Sequence, residues 1–132
     1  MSNLFKMFGK VFIFLIVLFT FFYIVDPVQA AVLSLNPSSS TVTLGDEFDV
    51  VVRIDTQGER VTSADVQLAY DRNRLQVISV TNGRSGTSPF FPDFFQSLSS
   101  GQIYMGGSVI SATDTRIGQG NFSTVRFKAL AT

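Results

Sequence analysis

Carboxylates, guanidinium groups and a run of phenylalanines are the chemistry-bearing side chains of this 132-residue chain, which has neither cysteine nor histidine. A thiolate nucleophile, a disulfide, a thiolate metal site and the commonest general base are therefore excluded together. So is the acylated cysteine of a lipoprotein. Asp46, Glu47 and Asp49 gather beside Gly45, and oxygen ligands of this kind suit calcium. Their spacing is not that of an EF-hand, and turn and strand-edge chemistry accounts for them better. Paired carboxylates also serve glycoside hydrolysis. Asp46, Glu47 and Asp114 flank turns, with no pocket-building segment or phosphate loop near them. No nucleophile–base pair emerges. No catalytic residue, metal site or cofactor is expected, and the chain does not read as an enzyme.

The segment Pro89-Phe90-Phe91-Pro92-Asp93-Phe94-Phe95 admits two uses. Phe90, Phe91, Phe94 and Phe95 either present ring faces to a sugar or a protein partner, or plug one end of a core. The second use is favoured, because sugar platforms usually employ Trp or Tyr and the chain has no Trp.

Charge narrows the partners further. Ten basic and ten acidic residues cancel; without the first thirty residues, eight bases stand against nine acids. No surplus is available to neutralise phosphates, so no nucleic-acid partner is expected. No Lys/Arg-rich run would hold an anionic membrane surface.

Those first thirty residues form a unit of their own. Lys6 and Lys10 precede the apolar stretch Val11–Val25, interrupted only by Thr20 and Tyr23, and Asp26-Pro27 then leads to Val28-Gln29-Ala30. This is the layout of a secretory signal peptide, with cleavage expected between Ala30 and Ala31. The competing reading is an uncleaved anchor helix, the chain's only expected membrane contact. Fifteen apolar residues fall short of the roughly 20 that span a bilayer. Either way the remainder lies outside the cytoplasm, secreted or on the cell surface.

From Ala31 onward, short alternating runs bounded by Gly, Pro, Asn and Ser replace helical periodicity. Val32–Leu35 and Thr41–Leu44 are short runs separated by the breaker Asn36–Ser40. Phe48, Val50, Val52 and Ile54 alternate with Asp49, Val51, Arg53 and Asp55, so one face is buried and the other wet. Ala64, Val66, Leu68 and Tyr70 oppose Asp65, Gln67, Ala69 and Asp71. Asp71–Arg74 suits a type I turn, and Leu75, Val77 and Val80 continue the core with an irregularity at Ile78. Asn82-Gly83 reads as a turn, Arg84–Ser100 as irregular, and Gln102–Val109 and Phe122–Leu130 as the last two strands. The expected fold is all-β, an antiparallel two-sheet sandwich, with Ile103, Val125 and Phe127 also in its core.

Three segments, in this order, resemble the cohesin domain of bacterial cellulosomes and related surface proteins. Thr43-Leu44-Gly45-Asp46-Glu47-Phe48-Asp49-Val50-Val51-Val52 resembles the family's opening. Ala64–Val77, an alternating strand ending in Tyr70-Asp71-Arg72-Asn73-Arg74-Leu75-Gln76-Val77, resembles its most telling pattern. Gly120–Ala129 is similar to its late strand. Arg72 stands where the family usually has Pro, and both suit the second position of a type I turn. The resemblance spans about Val32 to Ala129. It implies a jelly-roll sandwich of about nine strands and a non-catalytic recognition role toward a dockerin-type protein module. It also implies roughly two strands beyond Thr132, so a domain lacking its last strands, or completed by another chain, is expected. The face receiving dockerin would be that of Ser63, Asp65, Gln67 and Ala69, with Asp65 at the place of an acidic contact residue. Alternation alone reads Asp65 as a solvated strand residue. Two other roles compete on the same architecture: a carbohydrate-binding module serving polysaccharide breakdown, and a structural spacer of a surface protein.

Overall fold

The computed structural model describes residues 30–85 and 88–131; the expected signal segment lies outside them. The alternation of Phe48 to Ile54 becomes β2 (Glu47–Asp55), and that of Ala64 to Leu68 becomes β3 (Ser63–Ala69). Around them run β1 (Val32–Pro37), β4 (Leu75–Asn82), the two-residue strands β5 (Arg84–Ser85) and β6 (Ser88–Pro89), β7 (Asp93–Ser99), β8 (Gln102–Ser108) and β9 (Gln119–Ala129). No helix of the described residues is long and apolar enough to cross a membrane.

The strands form one sheet in the order β1-β2-β9-β4, a second in the order β3-β8-β7, and a small β5-β6 ribbon. Every pairing is antiparallel. Between the two main sheets lie Val52, Ile54, Phe122, Val125 and Phe127 of the first and Val66, Ile103 and Met105 of the second. Phe48, Val50, Leu68, Tyr70, Leu75 and Val77 pack against them from the margins. The Phe127 ring lies 5.8 Å from that of Phe48 and 5.6 Å from that of Tyr70.

Two interruptions of register adapt this core. Ile78 is the extra residue where β4 passes β9, between the pairs Val77↔Phe127 and Ser79↔Arg126, and it turns to solvent. On β9, Phe122 is the extra residue between Val52↔Ser123 and Arg53↔Asn121. A bulge of this kind turns two successive side chains away from strict alternation, and both Phe122 and Ser123 are buried. The Ser123 hydroxyl donates to Met105 Sδ at 3.1 Å across the core.

Turn chemistry follows the residues. Asp71 O accepts from Arg74 N at 3.0 Å, while Asp71 Oδ1 accepts from Asn73 N at 2.9 Å. Arg72 occupies the turn between them without needing the rigidity of proline. Pro37 ends β1, which has a neighbour on one side only among the described strands, so its missing N–H breaks no ladder.

Three expectations need correction. Thr41–Leu44 forms no strand; it is a loop held by the Thr43 N–H to Asp46 Oδ2 bond at 3.1 Å. Gly83 is not the corner of a tight hairpin but a buried close approach, with its N–H donating to Phe122 O at 3.0 Å. The supposedly irregular segment 84–100 contains the full strand β7. Of the two uses weighed for the phenylalanines, Phe90 and Phe91 take the favoured core one, not the partner contact: both are buried, and their rings meet edge to face at 5.0 Å.

Candidate functional site

In β3 the inward positions are Ala64, Val66 and Leu68, so period-2 geometry turns Ser63, Asp65, Gln67 and Ala69 outward, and all four are exposed. The structure therefore brings all four residues expected from the sequence onto one sheet face. Register then fixes their neighbours. Ser63 stands opposite Ser108, Asp65 opposite Gly106, Gln67 opposite Tyr104 and Ala69 opposite Gln102. On the other side of β8 the same rows continue into Asp93, Phe95, Ser97 and Ser99. The outer face of β3-β8-β7 is thus a lattice of small and polar side chains around two exposed aromatic rings.

Phe95 and Tyr104 are 55% and 41% exposed, with ring centroids 5.7 Å apart. Gly106 makes their placement possible. A β-carbon there would fall 2.1 Å from Phe95 Cε1 and 2.9 Å from Asp65 Oδ1. The Phe95 ring therefore lies over Gly106 of β8, and the Asp65 carboxylate approaches the same spot. Beside the rings, Gln67 Nε2 donates to Gln102 Oε1 at 3.0 Å and Ser108 Oγ donates to Asp93 Oδ2 at 3.3 Å. At one end of the strands the Arg72 guanidinium bonds Ser100 Oγ. Side chains tied to one another in this way lose less freedom when a partner covers them.

Phe94, the fourth phenylalanine considered from the sequence, is half-buried against Phe122 at 6.0 Å. Only Phe95 of the four is free to meet a partner. Tyr104 and Gln102 were not expected at the site, yet the signal was present. Once Ile103 and Met105 are inward, Gln102 and Tyr104 must face out.

The carboxylates weighed for calcium have other occupations. Asp46 closes the loop before β2, and Asp49 receives both Nε and Nη2 of Arg126 at 2.8 and 3.0 Å. Hydrogen bonding and charge from Arg126 hold the Asp49 carboxyl below its ordinary value and raise the guanidinium above its own. Among the described residues, no three Asp or Glu side chains gather where they would hold a metal ion.

The family model for the cohesin domain matches residues 33–132. No curated protein matches the chain in sequence. Among solved structures, a non-cellulosomal cohesin from the hyperthermophilic archaeon Archaeoglobus fulgidus is 20% identical with a TM-score of 0.60; the alignment covers 76% of this chain and 66% of that one. A type II cohesin–X–dockerin complex from Acetivibrio cellulolyticus aligns at 17% identity and a TM-score of 0.61, over 76% of this chain and 71% of that one. A type II cohesin from Bacteroides cellulosolvens aligns at 15% identity and a TM-score of 0.60, over 75% and 69%. These likenesses establish a shared fold. The chain spans just under two thirds of the archaeal protein's length.

Proposed function

Because the chain belongs to the cohesin domain family, we propose that it is a non-catalytic recognition module that binds a dockerin-type protein module on the outer face of β3-β8-β7. The observation that carries this reading is the exposed Phe95–Tyr104 pair set among Asp65, Gln67 and Gln102. A helical partner is convex and cannot enter a closed core, so it requires an open and fairly flat sheet face. Aromatic rings at the centre of such a face supply the desolvated anchor, and polar groups around them fix orientation. Ser63 and Ala69 are small enough to permit close approach, while Asp65 supplies an acceptor and Gln67 both an acceptor and a donor. A domain of this kind, with the two antiparallel sheets arranged as a jelly roll, needs no reaction centre.

The first thirty residues support export. Lys6 and Lys10, the apolar run and Val28-Gln29-Ala30 form a secretory signal removed before Ala31. The module then works outside the cytoplasm, secreted or at the cell surface, in assemblies of surface or polysaccharide-degrading proteins. Amino-terminal sequencing of the exported protein tests this; a start at Met1 or Ser2 would refute cleavage.

The binding site is tested by calorimetric titration against a dockerin module recovered from the same organism's secretome. Asp65→Ala should weaken binding by about 1–3 kcal/mol where its carboxylate accepts a buried hydrogen bond. Stability should hardly change, because the residue is exposed. Unchanged affinity when both Asp65→Ala and Gln67→Ala are introduced would move the site off this face.

A further inference from the structure

The opposite side of the sandwich carries a different kind of surface. A groove of about 750 Å3 runs over the outer face of β2, β9 and β4, within the ~300–1,000 Å3 usual for small-ligand sites. Hydroxyl and amide side chains from Thr81, Asn82 and Thr124 line it, together with Asp49, Arg126 and Arg84. No aromatic ring and no large aliphatic side chain lines it.

Its charges are not equivalent. Arg126 is held in two hydrogen bonds by Asp49 and is also attracted by Glu47. The Arg84 side chain is exposed and, among the described residues, has no hydrogen bond or ion pair. The groove therefore presents one unneutralised guanidinium beside a bank of hydroxyl and amide groups. One wall of the groove is fixed in place, because Asn82 donates through Nδ2 to Phe91 O at 2.8 Å.

We propose that this groove binds a carboxylate-bearing glycan, such as a segment of a uronic-acid polymer, with Arg84 taking the carboxylate and the hydroxyl and amide groups taking sugar hydroxyls. A planar guanidinium offers parallel donors that match a carboxylate. Several neutral hydrogen-bonding groups around one cation suit a ligand rich in hydroxyls and sparse in charge. A phosphate polymer would call for several free cations, and a peptide would find no apolar recess for its side chains. The proposal is independent of the protein-binding face, which lies on the other sheet, so the same module would hold an acidic polysaccharide and a protein at once.

Affinity electrophoresis of the full chain through gels containing polygalacturonate, a neutral cellulose derivative or poly-glutamate tests it. The expected result is retardation by polygalacturonate, weakening with added salt, and little retardation by the other two polymers. Arg84→Ala should weaken polygalacturonate binding about tenfold or more, a change of about 1.4 kcal/mol. Thr81→Val should weaken it less, and Tyr104→Ala, on the opposite face, not at all. Circular dichroism of each variant confirms the fold. Absence of retardation, retardation unchanged by Arg84→Ala, or equal or stronger retardation by the neutral polymer or by poly-glutamate would each overturn the proposal.

Discussion

Alanine at Gly83 and at Gly106 should separate stability from binding, although neither site has room for a methyl group. At Gly83 the added carbon would meet backbone: Asn121 O at 2.2 Å, Asn121 C at 2.4 Å and Phe122 C at 2.7 Å. These atoms belong to β9, which is paired on both sides. Relief requires drawing the end of β4 away and breaking the Gly83 N–H to Phe122 O bond. Overpacking of ~1–3 kcal/mol and a lost hydrogen bond of ~1 kcal/mol together predict a loss of about 2–4 kcal/mol. At about 4–8 °C per kcal/mol, the melting temperature should fall by about 10 °C or more. At Gly106 the obstacle is instead the edge of the Phe95 ring. Ordinary contact returns when Cε1 moves from 2.1 Å to 3.4 Å, a shift of 1.3 Å. The ring is more than half exposed and can swing toward solvent. Gly106→Ala should therefore cost less than about 1 kcal/mol of stability, yet weaken dockerin binding by about 1–3 kcal/mol through displacement of the aromatic anchor. Thermal unfolding followed by circular dichroism, with calorimetric titration of each variant, reads both effects. Equal losses of melting temperature would refute the claim that Phe95 can yield. Full affinity in Gly106→Ala would remove the ring from the interface.

Phe127→Ala should destabilise the domain by about 3–5 kcal/mol, read from chemical denaturation, because the ring is buried between Phe48 and Tyr70. Thr56→Val should cost about 1–3 kcal/mol, since the fully buried Thr56 Oγ1 accepts from Gly118 N at 2.9 Å and a valine leaves that donor unpaired; Thr56→Ser should retain most of the stability. The Asp49–Arg126 pair predicts a pH effect of definite sign. The folded carboxyl titrates below its ordinary value, so its contribution is complete above about pH 4 and lost as pH falls through the lower folded value. Asp49→Asn should flatten that part of the acid-unfolding curve, and an identical curve would show that the pair contributes nothing.

The strands that alternate cleanly were legible in the sequence because one face of each is buried and the other wet: β2 and β3 emerged with their inward residues correctly assigned. The irregularity at Ile78 was also legible, since Val77 and Val80 cannot both face inward without an extra residue. Strand β7 was hidden by its composition. Asp93-Phe94-Phe95-Gln96 places large rings on both faces, which masks period 2, and the flanking Pro89 and Pro92 suggested a loop. The bulge at Phe122 was equally hidden, because only the pairing across β2 shows which residue is extra. At the candidate site, alternation turned Ser63, Asp65, Gln67 and Ala69 outward, and it was the resemblance to cohesin that assigned their face to a partner. Phe95 and Tyr104 required knowing that β7 and β8 lie beside β3, a long-range pairing that local pattern does not encode.

The position of Tyr104 has an optical consequence. The chain has no tryptophan, and its tyrosines are Tyr23, Tyr70 and Tyr104. From Ala31 onward, intrinsic emission comes from two phenols in contrasting settings. Tyr70 rests half-buried against Phe127 at the margin of the core, while Tyr104 lies open on the β3-β8-β7 face beside Phe95. With no indole to dominate the spectrum, a partner covering that face perturbs the Tyr104 emission directly, and loss of the core perturbs that of Tyr70. Tyr70→Phe and Tyr104→Phe variants would assign the two signals, so docking and unfolding can be followed by fluorescence in the unlabelled protein.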